Sequence, residues 1–242
     1  MLALDMDGTL LNHEEKISTE TMKWIKIAME KGVHVCLSTG RSFASALPYA
    51  EQLGLDGPMV TVNGSEIWSA PYQLHQRSLF DVQRMKAMYE IAIEMDTWFW
   101  AYSVDHVYNK EHWLTTPMEE TEWLKFGYYT EDDHIRQHIL TKLLEWGDLE
   151  ITNSSPFNIE INPLGVNKAT GISEVCKLLQ IEMCEVIAVG DSLNDLAVIQ
   201  QCGLGVAMGN AQQHVKEQAD VVVASNNDDG IVEVIRTYII EE

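Results

Sequence analysis

Short apolar runs alternate with stretches of helical periodicity in residues 1–78 and again after residue 155. In 18–31 the apolar positions repeat every three or four residues, which predicts a helix with Ser18 as N-cap and Gly32 after its end. Four apolar runs, at 2–4, 33–37, 58–62 and 185–189, predict short buried strands. Strands that alternate with helices in this way predict an α/β fold built on a doubly wound, mostly parallel sheet.

The pattern changes between residues 79 and 155, where amphipathic helices and aromatic-rich strands replace the earlier alternation. The predicted elements are helices at 82–95, 111–126 and 132–146, a hairpin at 98–108, and strands at 149–152 and 158–161. Pro117 is expected to begin or interrupt the second of these helices. We interpret residues 79–155 as an inserted α+β domain, so that residues 1–78 and 156–242 together form the core domain.

The chain is long enough, at 242 residues, to bury a sizeable core in one large or two small domains. Its 37 acidic and 16 basic residues give a formal net charge of −21, which would repel nucleic acid and anionic membranes. No apolar run approaches the ~20 residues that span a bilayer, and no signal peptide is recognisable, so we expect a cytoplasmic protein. The four cysteines show no Cys-x-x-Cys spacing and are expected to be reduced.

Two acidic residues, Asp5 and Asp7, follow the first predicted strand directly. Side chains alternate along an extended chain, so the two carboxylates lie on one face and repel each other unless a cation binds them. Gly8 allows the backbone to turn tightly around such an ion, and Mg²⁺ prefers oxygen ligands. The alternative is an ordinary surface turn, because Asp and Gly are common turn residues.

The second strand–helix junction carries Ser38-Thr39-Gly40-Arg41. The Thr39 hydroxyl and the backbone amides at a helix N-terminus can donate hydrogen bonds to phosphoryl oxygens. Arg41 adds a cation near the entrance of such a site. The alternative is a plain strand-to-helix turn in which Thr39 caps the helix.

Two later junctions carry further polar residues. Lys168 stands just before a predicted helix, where it is either an exposed lysine or a cation that reaches a phosphate group and an attacking carboxylate. Asp191, Asn194 and Asp195 crowd the turn after the strand at 185–189. A helix N-cap explains one of these three residues but does not require all of them. All four junctions lie at strand ends or helix starts, so their side chains can converge at one edge of the sheet.

The four junctions resemble, in residues and in order, the four motifs of the haloacid dehalogenase-like phosphatases. The first motif is Asp5-Met6-Asp7-Gly8-Thr9, and the stretches 206–211 and 219–231 are similar to segments of the Cof-type branch. The resemblance implies a Rossmann-like hydrolase core with a cap domain inserted between the second and third motifs. One departure is Ala169, because the family commonly has Gly directly after the lysine of the third motif.

The resemblance also implies a role for each residue. Asp5 is the nucleophile, Asp7 protonates the leaving alcohol and then activates water, and Lys168 is the third catalytic residue. The implied Mg²⁺ ligands are Asp5, the backbone carbonyl of Asp7 and Asp191, with Asp195 in support. The implied phosphate-binding residues are Met6, Thr39, Gly40, Arg41, Lys168 and Asn194.

The resemblance predicts a magnesium-dependent phosphatase that hydrolyses small phosphorylated metabolites through an aspartyl-phosphate intermediate. Sugar phosphates or similar phosphomonoesters are the expected substrates, and the cap is expected to set specificity. Two alternatives stay open: a mutase that transfers a phosphoryl group on the same core, and a non-catalytic sensor that binds magnesium and phosphate. The expected partner is the small-molecule substrate, and the oligomeric state is not predicted.

Overall fold

The computed structural model describes residues 1–240, which form thirteen β-strands and eight α-helices. The strands are β1 (Leu2–Leu4), β2 (Val35–Leu37), β3 (Met59–Thr61), β4 (Glu66–Ala70), β5 (Gln73–Arg77), β6 (Trp98–Ser103), β7 (Val107–Asn109), β8 (Trp123–Tyr129), β9 (Leu149–Thr152), β10 (Asn158–Pro163), β11 (Ile187–Gly190), β12 (Leu204–Ala207) and β13 (Val221–Val222). The helices are α1 (Thr19–Glu30), α2 (Phe43–Leu53), α3 (Val82–Glu94), α4 (Asp133–Leu144), α5 (Lys168–Leu179), α6 (Leu193–Gln201), α7 (Gln213–Gln218) and α8 (Gly230–Ile235).

A five-stranded sheet of order β13-β12-β11-β1-β2 forms the centre of the core domain, and all its neighbouring strands run parallel. β1 lies between β11 and β2, so that Ala3 pairs with Ala188 on one side and with Cys36 on the other. The carboxyl ends of these three strands therefore lie side by side, and the residues that follow them meet at one edge. The prediction of an α/β fold with a mostly parallel sheet is confirmed.

Both faces of this sheet are covered by helices. Leu2 and Leu4 belong to a hydrophobic cluster that includes Ile25 of α1 and Val234 of α8. Ala3 points the other way, into a second cluster that includes Ile172 of α5 and Val198 of α6. Fully burying one such aliphatic side chain contributes about 1.5–3 kcal/mol, so this packing fixes the sheet that positions the strand ends.

A three-stranded antiparallel sheet, β3-β4-β5, lies beside the edge strand β2. Ser38 forms a parallel bridge with Val60, and the amide of Thr39 donates to the carbonyl of Val60 at 2.9 Å. The amide of Asn63 donates in turn to the carbonyl of Thr39 at 2.9 Å. These bonds hold the turn after β3 against the residues that follow β2.

A second five-stranded sheet, of order β7-β6-β8-β10-β9, is antiparallel throughout and carries α3 and α4. It has its own hydrophobic cluster, which includes Met88, Phe99, Phe126 and Ile139. The fold therefore contains the inserted α+β cap domain. Strand β10 begins at Asn158, after the predicted end of the insertion at residue 155, and yet it belongs to the cap sheet. The bounds of the two domains stay a prediction.

The helix predicted at 111–126 is wrong. The structure has a short 3₁₀ helix at Met118–Glu120, and β8 begins at Trp123. β8 is the middle strand of the cap sheet, and its side chains are buried on both faces from Trp123 to Tyr128. A strand buried on both faces lacks the alternation of polar and apolar residues that identifies a strand in a sequence.

Most other predicted elements agree with the structure to within a few residues. Ser18 caps α1 by accepting a hydrogen bond from the amide of Thr21, and 98–108 forms the predicted hairpin of β6 and β7. All four cysteines are free thiols. Within residues 1–240, no helix has both the length and the apolar character needed to cross a bilayer.

Candidate active site

Asp5 and Lys168 form the centre of a buried polar cluster at the carboxyl edge of the parallel sheet. Asp5 follows β1 directly, and its backbone amide donates to the carbonyl of Val189 in the neighbouring strand at 3.1 Å. The Lys168 ammonium donates to Asp5 Oδ1 at 2.6 Å and to Asp195 Oδ1 at 2.7 Å. The Lys168 side chain is 0% exposed and that of Asp5 is 7% exposed, so these charges are shielded from water.

The start of α5 fixes Lys168 in this position. Asn167 is the N-cap of α5, and its side chain and that of Thr170 form a reciprocal capping box. Lys168 is the first residue of the helix, directed at the strand ends. Burial by itself would lower the pKa of Lys168, but the carboxylates of Asp195 and Asp5 raise it above its ordinary value. The lysine is therefore a permanent cation beside the Asp5 carboxylate.

Asp5, Asp191 and Asp195 form an acidic cluster in which one carboxylate oxygen of each residue lies within 4.8 Å of the other two. Asp191 Oδ1 is buried without a hydrogen-bond partner. A Cβ atom at Gly8 would lie 2.4 Å from Asp191 Oδ2, so only glycine allows the first motif to approach this carboxylate so closely. An unpartnered buried carboxylate oxygen beside a second carboxylate fits the requirements of a hard divalent cation such as Mg²⁺.

The pKa values of two carboxyls in this cluster are raised. Burial raises the pKa of Asp5 well above its ordinary value, although Lys168 opposes the shift. Burial, and next the charge of Asp195, raise the pKa of Asp191 to about 7. A divalent cation bound between these carboxylates would favour their ionised forms and so oppose the effect of burial.

Asp195 has a different environment from the other two acids. Its Oδ2 accepts hydrogen bonds from the backbone amides of Asp191 and Ser192, each at 3.1 Å. Its Oδ1 binds Lys168. Both oxygens therefore hold the surrounding residues in place, and the expected support of a metal ion by Asp195 stays a prediction.

Asp7 is paired with Arg41 at the mouth of the site. Arg41 Nε donates to Asp7 Oδ2 at 2.8 Å, and Arg41 Nη2 donates to Asp7 Oδ1 at 2.5 Å. This hydrogen bonding raises the pKa of Arg41 above its ordinary value. The Asp7 carboxylate is about half exposed and lies outside the buried acidic cluster. The first and second motifs thus meet through this pair.

The other predicted phosphate-binding residues lie around the same edge. Thr39 is fully buried, and its hydroxyl accepts a hydrogen bond from the amide of Arg41 at 3.1 Å. Asn194 Nδ2 donates to Asn63 Oδ1 at 3.4 Å, and Asn194 Oδ1 is buried without a partner. The side chain of Met6 is fully buried in the hydrophobic core, so only the backbone of Met6 can contribute to phosphate binding. The roles of these residues stay predictions.

A cavity of about 390 Å³ lies between this edge and the cap. The core lines it with Asp5, Asp7, Gly40, Arg41, Ser45, Ser192 and Asn194, and the cap with Trp100, Tyr102, Lys125, Ser154, Asn158 and Glu160. Sequence motifs identified most of the core residues, but none of the six cap residues. Asn63, in the turn after β3, donates a hydrogen bond from its Nδ2 to Glu160 Oε2 at 2.7 Å and so links the core to this cap wall. The cap residues lie on strands or loops without a motif, so only the tertiary fold brings them to the site.

Comparisons with known proteins agree with this geometry. The model of the haloacid dehalogenase-like hydrolase family matches residues 2–144 and 119–235. The chain belongs to this family. It is 45% identical over 240 residues to the 5-amino-6-(5-phospho-D-ribitylamino)uracil phosphatase YcsE of Bacillus subtilis strain 168, a match that covers 99% of this chain and 96% of that protein. The predictions of a Cof-type haloacid dehalogenase-like hydrolase and of an enzyme of the phosphatase class are confirmed.

Solved structures of this hydrolase family share the fold. A haloacid dehalogenase-like hydrolase from B. subtilis superposes with a TM-score of 0.89 at 22% identity, covering 98% of this chain and 99% of that chain. The subclass IIB sugar phosphatase BT4131 superposes with a TM-score of 0.86 at 23% identity, covering 98% of both chains. At these identities the likeness establishes the fold of core and cap, and the substrate must be argued from the site.

Proposed function

We propose that this hydrolase is a magnesium-dependent phosphatase of small, hydroxyl-bearing phosphate monoesters and that it acts through an aspartyl-phosphate on Asp5. The proposal rests on the position of the Asp5 carboxylate, which lies 2.6 Å from the Lys168 ammonium and lines a cavity between the core and the cap. A carboxylate in this position can attack phosphorus, and the cap shields the reacting groups from bulk solvent while leaving room for the water that the hydrolysis consumes.

In the first half-reaction, Asp5 forms a bond to phosphorus while the bond to the leaving-group oxygen breaks. Lys168 reduces the repulsion between the carboxylate and the phosphoryl oxygens. Asp7 supplies a proton to the departing oxygen, so that the product leaves as an alcohol. Magnesium held by Asp5 and Asp191, with a further oxygen from the Asp7 backbone, would neutralise negative charge on the transferring group.

In the second half-reaction, Asp7 takes a proton from water, whose oxygen attacks phosphorus and releases inorganic phosphate and free Asp5. Arg41 is well placed to orient Asp7 for both steps, because its guanidinium group contacts both oxygens of that carboxylate. Thr39, the Gly40 amide and Asn194 are proposed to bind the remaining phosphoryl oxygens.

The first candidate substrate is 5-amino-6-(5-phospho-D-ribitylamino)uracil, the compound in the name of the relative that is 45% identical. The cavity volume of about 390 Å³ limits the substrate to a small metabolite. Trp100 and Tyr102 give the cap side of the cavity an aromatic surface that suits a planar ring. The polar groups beside them suit a hydroxylated chain.

The test is release of inorganic phosphate from this compound, from D-ribitol 5-phosphate and from an aryl phosphate, with Mg²⁺ and with a chelator. Turnover should require Mg²⁺, and Asp5→Asn should lower kcat by about 10⁴-fold. Asp148→Asn, which removes a carboxylate from the cap surface, is the matched control. Turnover that survives in Asp5→Asn would contradict the mechanism. Phosphate binding without release would favour a sensor, and transfer of the phosphoryl group to a second hydroxyl would favour a mutase.

A further inference from the structure

Lys125 and Glu160 form an ion pair in the wall that the cap contributes to the cavity. Lys125 Nζ lies 2.8 Å from Glu160 Oε2, and the two side chains are only 2% and 6% exposed. The residues lie on the adjacent strands β8 and β10 of the cap sheet, and both line the cavity. No sequence motif includes Lys125 or Glu160, and the mechanism proposed above does not use them.

The pair touches the phosphate-binding side of the core. Lys125 Nζ lies 3.5 Å from the carbonyl oxygen of Gly40. Glu160 Oε2 also accepts a hydrogen bond from Asn63 Nδ2 at 2.7 Å, and Asn63 contacts Asn194. The pair is therefore fixed beside the position where the phosphoryl group must lie to be attacked by Asp5.

Stability alone does not explain a buried ion pair. Removing two charges from water costs several kcal/mol, and a well-packed apolar pair of similar volume is often equally stable or more so. Burial by itself would raise the pKa of Glu160, but Lys125, Asn63 and Ser154 lower it below its ordinary value, so the carboxylate is ionised at neutral pH. The cap thus keeps a full negative and a full positive charge at the cavity wall.

We infer that Lys125 and Glu160 set specificity by binding together a hydroxyl group of the leaving group, next to the phosphoryl group. This inference rests on the proposed function. A hydroxyl accepts one hydrogen bond and donates another, so it can bind an ammonium and a carboxylate at once. A phosphoryl oxygen only accepts, and its negative charge would be repelled by Glu160. Charge-assisted bonds of this kind discriminate strongly against a substrate that lacks the hydroxyl.

The test compares two substrates with the same five-carbon chain, D-ribitol 5-phosphate and n-pentyl phosphate. The variant is Lys125→Met with Glu160→Gln, which removes both charges at nearly constant volume and leaves no unpaired buried charge. Its matched control is Lys142→Met with Glu94→Gln, which removes an ion pair from the cap surface. Thermal unfolding of all variants identifies any that fail to fold.

The wild type should prefer D-ribitol 5-phosphate, and the variant at Lys125 and Glu160 should lose that preference in kcat/KM by about 10- to 100-fold. Its turnover of n-pentyl phosphate should fall less than its turnover of D-ribitol 5-phosphate, so that the ratio of the two kcat/KM values reports the lost contact. The surface control should keep the wild-type preference. An unchanged preference, or an equal fall on both substrates, would overturn the inference. If the wild type hydrolyses both substrates equally well, the inference about Lys125 and Glu160 is overturned, but the phosphatase proposal stands. If the wild type hydrolyses neither substrate nor the aryl phosphate, both the inference and the phosphatase proposal are overturned.

Discussion

Arg41 binds both carboxylate oxygens of Asp7, at 2.5 and 2.8 Å, and so joins the second motif to the first. The Arg41 backbone is itself held by the hydroxyl of Thr39 at 3.1 Å. A two-point contact between guanidinium and carboxylate fixes the orientation of Asp7 as well as its position. The loop that carries Thr39 and Arg41, which is proposed to bind phosphate, therefore also orients Asp7, which is proposed to transfer protons.

Asp7→Asn should separate the two half-reactions. The amide cannot donate a proton to the leaving alcohol or accept one from water, so kcat should fall by about 10²- to 10⁴-fold. With an activated aryl phosphate, whose leaving group needs no proton, the protein should become phosphorylated on Asp5 and stay so, as measured by intact-protein mass. Glu15→Gln is the control, because Glu15 lies 4.0 Å from the same guanidinium on the surface. Wild-type turnover in Asp7→Asn would remove Asp7 from the mechanism.

Lys168→Met should destabilise the metal-free protein by about 3–5 kcal/mol, because it leaves the buried carboxylates of Asp5 and Asp195 without their cation. The free energy of unfolding is measured with urea at neutral pH in the presence of a chelator. Lys177→Met is the control, since the Lys177–Glu174 pair lies on the surface and should contribute less than about 1 kcal/mol. If Lys168→Met were as stable as the wild type, the Lys168 ammonium would not stabilise the buried carboxylates of Asp5 and Asp195, contrary to this prediction.

The positions of Asp5, Lys168 and Asp195 could be predicted from the sequence for a physical reason. Each follows a short buried strand or begins a helix, and parallel strands place these ends along one edge. The approach of Lys168 to Asp5, across 163 positions of the chain, follows from that topology. The hydrogen-bond partners within the cluster, such as the two amides that donate to Asp195, depend on the exact backbone path of the turn, which no sequence pattern specifies.

The cap wall could not be predicted in the same way. Lys125 lies in β8, which the sequence indicated as the end of a helix, and a helix would place its side chain on a different face. Nothing near Lys125 in the sequence indicates Glu160, because the pairing of β8 with β10 depends on the register of the whole cap sheet. Motifs therefore indicated the candidate residues of the core, while the residues proposed to set specificity are brought together only by strand pairing.

Mg²⁺ should stabilise the protein more at pH 8 than at pH 5.5. The pKa of Asp191 is raised from 3.8 to about 7, mainly by burial, so the folded protein keeps a proton that the unfolded chain releases near pH 4. In the metal-free protein, the contribution of Asp191 to the free energy of unfolding is therefore fully present below pH 4 and is lost as the pH rises through 7. Magnesium binds the ionised carboxylate, so it offsets this loss only at the higher pH.

Thermal unfolding with and without Mg²⁺ measures this effect. At a free concentration a hundred-fold above Kd, the ion should add about 2.7 kcal/mol at pH 8. Asp191→Asn should remove the difference between the two pH values, and the surface variant Asp148→Asn should retain it. An equal response to Mg²⁺ at both pH values in the wild type would contradict the assignment of Asp191 as a ligand.

Gly127→Ala should raise KM for a substrate whose leaving group carries a planar ring that binds against the cap. Trp100 lies directly across from Gly127 in the cap sheet, and a Cβ atom at Gly127 would lie 2.3 Å from Trp100 Cζ2. The indole must therefore move in the variant, and Trp100 lines the cavity. We expect KM for 5-amino-6-(5-phospho-D-ribitylamino)uracil to rise by about 10-fold, and KM for D-ribitol 5-phosphate to change by less than about 3-fold.

Two further variants separate this effect from a general loss of stability. The added methyl group at Gly127 should destabilise the cap by about 1–3 kcal/mol through overpacking, whereas Gly57→Ala adds a methyl group in open space and should be silent. Trp100→Leu removes the aromatic surface without crowding Gly127, so it should reproduce the rise in KM for the uracil compound. If Trp100→Leu leaves both KM values unchanged, the indole does not contact the substrate, and the ring must bind elsewhere in the cavity.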